Sequence, residues 1–161
     1  MTDSTTNENK LISALMQNEQ LISQLYAKYA TLFPDDNEFW THISHDETDH
    51  SRWINELFIK IQQEIVKIDE NRLKIEALNN FTTYINEQIT RAESGNLSST
   101  QALSVSMDME NSMIEQGVFK VYESDDVELK IVFDKLLVAT ETHYSIVKQR
   151  WLDERSKTGI I

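Results

Sequence analysis

Glu47 and His50, in the run Ser44-His45-Asp46-Glu47-Thr48-Asp49-His50-Ser51, are the residues whose types and spacing most directly suggest chemistry. Three apart on a helix, they share one face, about 60° from each other around the axis. That face is apolar on either side: Trp40 and Ile43 precede it, and Ile54, Leu57, Phe58, Ile61 and Ile65 follow at helical spacing. A carboxylate and an imidazole inside such a stripe face a core, where an unpaired carboxylate is costly. Ligating a metal ion is one arrangement that makes their burial favourable, since iron, manganese and zinc accept these donors.

Such a pair needs rigid helices around it, and the composition supplies them. The chain has 161 residues, 40% hydrophobic and 26% charged, with 3 Gly and 1 Pro, so chain breakers are scarce and long helices are favoured. Its length is most simply one domain, residues 1–161, with about 1–7 and 153–161 expected as flexible tails. The absence of cysteine excludes disulfides, thiol nucleophiles and rubredoxin-type iron sites. Met1 to Asn7 lack the order of a signal peptide, and no apolar run reaches membrane-spanning length. A cytoplasmic protein that engages no membrane is therefore expected. The net charge of −12 argues against nucleic acid, whose phosphates would be repelled.

Helical periodicity runs through most of the chain. A first helix is expected from about Asn7 to Leu32, with Ile12, Leu15, Glu19, Ile22, Tyr26, Tyr29 and Phe33 on one stripe. Pro34 stops it, and Asp35 with Glu38 resembles a capping box for a second helix that continues to about Lys67. Asp69 to Asn71 interrupts the pattern, and Ile75, Leu78, Phe81, Ile85, Ile89 and Ala92 then mark a further amphipathic segment ending at Glu93-Ser94-Gly95-Asn96. Ser98-Ser99-Thr100 offers an N-cap for a helix carrying Leu103, Met107, Glu110, Ile114, Gly117 and Val121. Glu123 to Asp126 breaks it and caps a last helix, with Leu129, Val132, Leu136, Thr140, His143 and Val147, running out near Trp151. The fold class is thus all-α: two tight antiparallel hairpins joined by a long crossover, about Val66 to Asn96, with a helix of its own. That is the ferritin-like four-helix arrangement, although an irregular five-helix bundle fits the same pattern.

Each main helix places a potential ligand in its apolar stripe: Glu19, then Glu47 and His50, then Glu110, then His143. One such residue has an ordinary explanation, as a paired acid or a hydrogen-bonded core histidine. Five on converging faces point to a metal site, with a polar bundle core as the alternative. His42 and His45 flank the stripe and are expected to be exposed. Tyr26 either hydrogen-bonds a site ligand or fills the core, the second being expected. Met107, Met109 and Met113 suit packing, and Glu115 suits the surface. Trp40, Trp53 and Trp151 suit core and helix-end packing, a homodimer contact being an alternative use.

At these positions the chain resembles the rubrerythrin-like branch of the ferritin-like superfamily. The resemblance rests on Glu19 to Tyr26, on Phe39-Trp40 leading to Glu47-Thr48-Asp49-His50, on Met109-Glu110-Asn111-Ser112-Met113-Ile114-Glu115, and on Thr140-Glu141-Thr142-His143. It implies that Glu19 and Glu110 are terminal carboxylates, Glu47 a bridging carboxylate, and His50 and His143 imidazole ligands of one or two iron ions, or of manganese. It also implies an oxidoreductase acting on peroxide or dioxygen and, with no rubredoxin module, a separate electron donor. One position departs: Thr140 stands three before His143, where the resemblance implies a second bridging Glu. Glu141 is two residues from His143, about 200° around the helix, and points elsewhere. Three carboxylates leave two divalent ions at +1 and one ion at −1, which favours a one-metal or asymmetric site. A non-enzymatic bundle with a degenerate site, serving interaction or sensing, is the competing expectation.

Overall fold

Periodic apolar spacing becomes helix throughout the computed structural model, which describes residues 2–62, 74–116 and 127–157. Among the described residues there are five α-helices, α1 (Thr2–Leu32), α2 (Asn37–Gln62), α3 (Ile75–Glu93), α4 (Ser99–Glu115) and α5 (Val127–Lys157), a 3-10 turn at Pro34–Asp36, and no strand. No helix among them is long and apolar enough to cross a membrane.

Side-chain pairings fix the directions. Ser23 meets Ser44 and Ser51 reaches the Met16 carbonyl, so α1 and α2 are antiparallel. Asn18 donates to the Leu78 carbonyl and Lys28 pairs with Glu93, so α3 returns parallel to α1. Ser99 lies beside Asp36 and Glu110 beside Tyr26, so α4 descends against α1. Arg150 binds Asp36 and His143 binds Glu47, which makes α5 antiparallel to α2. The expected helix within the crossover is α3, and it carries the chain back from the end of α2 to the start of α4. The expected breaks at Asp69 to Asn71 and at Glu123 to Asp126, and the stripe positions Ile65, Gly117 and Val121, lie outside the described residues.

Local signals explain the two ends that flank the α3–α4 turn. Ser98 caps α4 through a reciprocal box with Gln101, and Gly95 takes the positive φ of 68° that closes α3. The α1–α2 turn differs from expectation. Asp35 is exposed, while buried Asp36 accepts from Ser99 and binds Arg150, tying the turn to α4 and α5. Helix also extends beyond the expected limits, from Thr2 rather than Asn7 and to Lys157 rather than Trp151. Once nucleated, a helix propagates cheaply through polar residues, and the Lys157–Glu154 pair and Arg155 over the Trp151 ring support the last turns.

The interior has two apolar regions. Leu11, Ile12, Leu15, Ile54, Leu57, Leu78, Phe133 and Leu136 fill one end. The other is larger and aromatic, with Tyr26, Tyr29 and Trp40 against Ile22, Leu25, Ile43, Leu103 and Met109. Between them lies a polar layer.

Candidate metal centre

Four helices build the polar layer, each setting its side chain among buried neighbours on the same helix. Glu19 sits between Leu15 and Ile22 on α1, Glu47 and His50 between Ile43 and Ile54 on α2, Glu110 between Met109 and Met113 on α4, and His143 between Leu136 and Val147 on α5. All five are buried, Glu47 and Glu110 completely. Every residue expected from the sequence to meet at mid-bundle is therefore in one layer.

Glu47 is its centre. Its Oε2 lies 2.8 Å from His50 Nδ1 and its Oε1 lies 2.6 Å from His143 Nδ1, so one carboxylate serves two imidazoles. The rings are stacked, with centroids 5.2 Å apart. Glu19 Oε2 is 3.8 Å from His50 Nδ1, and Glu110 Oε1 is 3.9 Å from His143 Nδ1. Glu19 Oε2 and Glu110 Oε2 are buried with no partner at hydrogen-bond distance.

These contacts separate the acids into two kinds. Burial opposes ionisation of all three, but the two imidazoles on Glu47 overcome it and hold that carboxyl well below the usual range. Glu19 and Glu110 are pushed up to about 8, by burial first and then by repulsion from Glu47. Burial alone would lower the imidazole pKa values, yet the facing carboxylates raise His50 to about 11 and His143 to about 9. The layer is a store of exchangeable protons around a fixed negative charge.

The same donors suit a cation. One ligand atom from each of Glu47, His50 and His143 lies within 4.8 Å of the others. Donors on opposite sides of an ion bound at about 2.1 Å are about 4.2 Å apart, so a small inward shift would let all three reach one ion. The unpartnered oxygens of Glu19 and Glu110 border this group and would add charge and ligands. The donor set fits a divalent ion that accepts nitrogen and oxygen, and these five residues would hold it.

Other expectations resolve individually. Thr140 is buried in the layer, but its hydroxyl donates to the Leu136 carbonyl at 3.0 Å within its own helix. Glu141 and Glu115 are exposed, as are His42 and His45. Tyr26 corrects the expectation of core filling alone: it is buried in the aromatic region and its hydroxyl also donates to Glu110 Oε1 at 2.7 Å. Burial and the nearby Glu110 and Glu47 hold that phenol well above its usual pKa, so the proton stays on tyrosine. Asp46 escaped the sequence reading. Its carboxylate receives His143 Nε2 at 3.2 Å and lies 3.6 Å from His42 Nε2. A signal existed, since an acid one residue before Glu47, about 100° around the helix, borders the buried stripe where α5 must pack.

Comparison with family models, with curated proteins and with solved structures finds no match to this chain.

Proposed function

We propose that the chain is a non-haem metal-binding protein, similar in fold and site to the rubrerythrin-like branch of the ferritin-like superfamily, taking iron or manganese at Glu47, His50 and His143. One observation carries this reading. Three metal-ligating side chains from two helices share a buried volume small enough for one ion, with two further carboxylates beside them. Antiparallel packing of α1 with α2 and of α2 with α5, with α3 returning along α1, supports this reading.

A bound iron would supply one-electron redox chemistry toward peroxide or dioxygen, drawing its electrons from a separate donor. The chain's own contribution is positional. Glu47 holds both imidazoles by their Nδ1 atoms, Asp46 orients His143 from behind, and Tyr26 fixes Glu110. The flanking Ile43, Ile54, Met109 and Leu136 exclude water. Thr140 adds no carboxylate, so the donor set favours one tightly held ion over two.

One observation favours a second reading, a degenerate site in an interaction or sensing bundle. Glu47 and the two histidines already satisfy one another through hydrogen bonds. The test is calorimetric titration of the chelated, purified chain with ferrous and manganous ions, followed by rapid mixing of the iron-loaded protein with peroxide. Saturable binding of one ion per chain, followed by oxidation faster than free ferrous ion shows, supports the enzyme reading. Binding without oxidation supports a sensing role, and absence of binding at millimolar metal overturns the metal-binding reading in favour of the degenerate bundle.

A further inference from the structure

A buried centre that meets a small molecule needs a way in, and the five residues of the polar layer are at most 3% exposed. One of them, Glu19, also lines a cavity of about 10 Å³ between α1, α3 and α4. That is close to the roughly 10–15 Å³ one water molecule requires. Exposure rises along the cavity wall, from buried Glu19, Leu78 and Met113, through half-buried Ser112, to exposed Gln116. The cavity thus leads from the surface at the end of α4 to the edge of the layer.

Its wall is held in place. Asn18, another lining residue, donates to the Leu78 carbonyl at 3.4 Å and accepts from the Thr82 hydroxyl at 2.6 Å, which ties α1 to α3. Glu19 joins the cavity to the layer, because its Oε2 lies 3.8 Å from His50 Nδ1 with no partner at hydrogen-bond distance. The lining also selects. An ion would have to shed water against Leu15, Phe81 and Met113, whereas an uncharged molecule passes them at little cost. The carboxyl group at the inner end then rewards a molecule that hydrogen-bonds.

We propose that this cavity is a port for uncharged, hydrogen-bonding molecules of one or two heavy atoms, such as water or hydrogen peroxide, with Glu19 as its inner end. What the port feeds rests on the metal-binding reading of the layer. That it admits such molecules does not.

The chain carries its own reporters. Met113 lines the cavity, whereas Met109, one turn earlier on α4 and fully buried, does not. Hydrogen peroxide transfers one oxygen atom to an accessible methionine sulfur, giving the sulfoxide, and leaves as water. In the metal-free chain, peptide mapping by mass spectrometry should show Met113 oxidised about 10-fold faster than Met109. tert-Butyl hydroperoxide, too bulky for the cavity, should show no such preference. Ser112→Leu, which fills the passage, should slow oxidation of Met113 by hydrogen peroxide about 10-fold, and Ser112→Ala should not. With ferrous iron bound, Ser112→Leu should slow its oxidation by peroxide to a similar degree at unchanged metal content. Circular dichroism checks that both variants fold, and the comparison of the two peroxides needs no variant. Equal oxidation of Met113 and Met109 by hydrogen peroxide overturns the port. So does a preference for Met113 that the bulky peroxide shares, since local opening of α4 would then explain it, or a folded Ser112→Leu chain that reacts like wild type. If the chain binds no iron, the reading of the layer falls, while the Met113 comparison still decides the port.

Discussion

Helices α2 and α5 bring the same imidazole to the same layer, each with its Nδ1 on Glu47, yet differ three residues earlier. On α2 that position is Glu47, buried and ionised by two cationic neighbours. On α5 it is Thr140, buried with its hydroxyl turned back to Leu136. The difference decides how charge is shared. A single carboxylate must balance two imidazoles, which explains its depressed pKa and leaves Glu19 and Glu110 as proton-holding acids. A bundle can thus keep the geometry of a symmetric site while its electrostatics become one-sided.

The most severe way to break this asymmetry is Glu47→Ala. It would leave His50 and His143 stacked with centroids 5.2 Å apart and no carboxylate between them. Removing one member of a buried charged network typically costs about 3–5 kcal/mol. We expect a loss of that size in urea unfolding of the metal-free chain, with metal affinity falling at least 100-fold by calorimetry. A loss under about 1 kcal/mol would mean Glu47 does not hold the layer together.

Acidity sharpens the same contrast. The folded pKa values of His50 and His143, about 11 and 9, exceed the ordinary 6.5, and those of Glu19 and Glu110, about 8, exceed 4.5. A raised folded value stabilises the fold fully below the unfolded pKa, and the contribution is lost as pH rises through the folded one. The two acids therefore lose theirs between pH 4.5 and 8, His143 between 6.5 and 9, and His50 between 6.5 and 11. Glu47 acts oppositely, and its contribution disappears as pH falls below its ordinary 4.5. The chelated chain should be most stable near pH 5, and less stable by a few kcal/mol at pH 9, in urea titrations. Saturating manganese should flatten that decline, because ligation needs the deprotonated donors and adds stability to the native state alone. A chelated chain that gains stability from pH 5 to 9 would contradict this account.

Such effects were only partly legible in the sequence. The helices were, because threes and fours recur with few breakers, and Glu19, Glu47, His50, Glu110 and His143 stood out as polar residues at apolar positions. Periodicity gives the angle of a side chain on its own helix and says nothing of how closely two helices approach. The sharing of Glu47 by two imidazoles therefore could not be read. Tyr26 on Glu110 and Asp46 behind His143 were hidden for the same reason, since both join residues more than eighty positions apart. Arg150 gave no sign that it would reach Asp36 instead of leaving the turn to a local cap.

Restoring symmetry is a milder change than removing Glu47. Thr140→Glu would place a carboxylate about 60° from His143, facing the same interior. A fourth carboxylate balances two divalent ions, so metal content should rise from one toward two per chain in elemental analysis. The metal-free variant should lose about 1–3 kcal/mol from burying a larger, unpaired acid, and metal should recover it. A wild-type chain that already binds two ions, with no change in Thr140→Glu, would show that Thr140 is no deficit.

The smallest effect is expected beside the largest, at Asp46. It and Glu47 are consecutive carboxylates on α2 that both contact His143, one at Nε2 and one at Nδ1. Their surroundings differ, since the Asp46 side chain is 38% exposed and that of Glu47 only 1%. Water screens the outer contact, so Asp46→Asn should change metal-free stability by less than about 1 kcal/mol. The amide oxygen can still accept from Nε2, but no longer as a full charge that strengthens His143 as a donor. Metal affinity should accordingly fall about 10-fold, the lower end of what outer-shell changes produce. A double variant with Glu47→Ala should be no worse than Glu47→Ala alone, because Asp46 acts through an imidazole that the first change has already released. If Asp46→Asn instead matched Glu47→Ala in stability, the two carboxylates would be equal partners of His143. The buried one would then have no special claim to be the centre of the site.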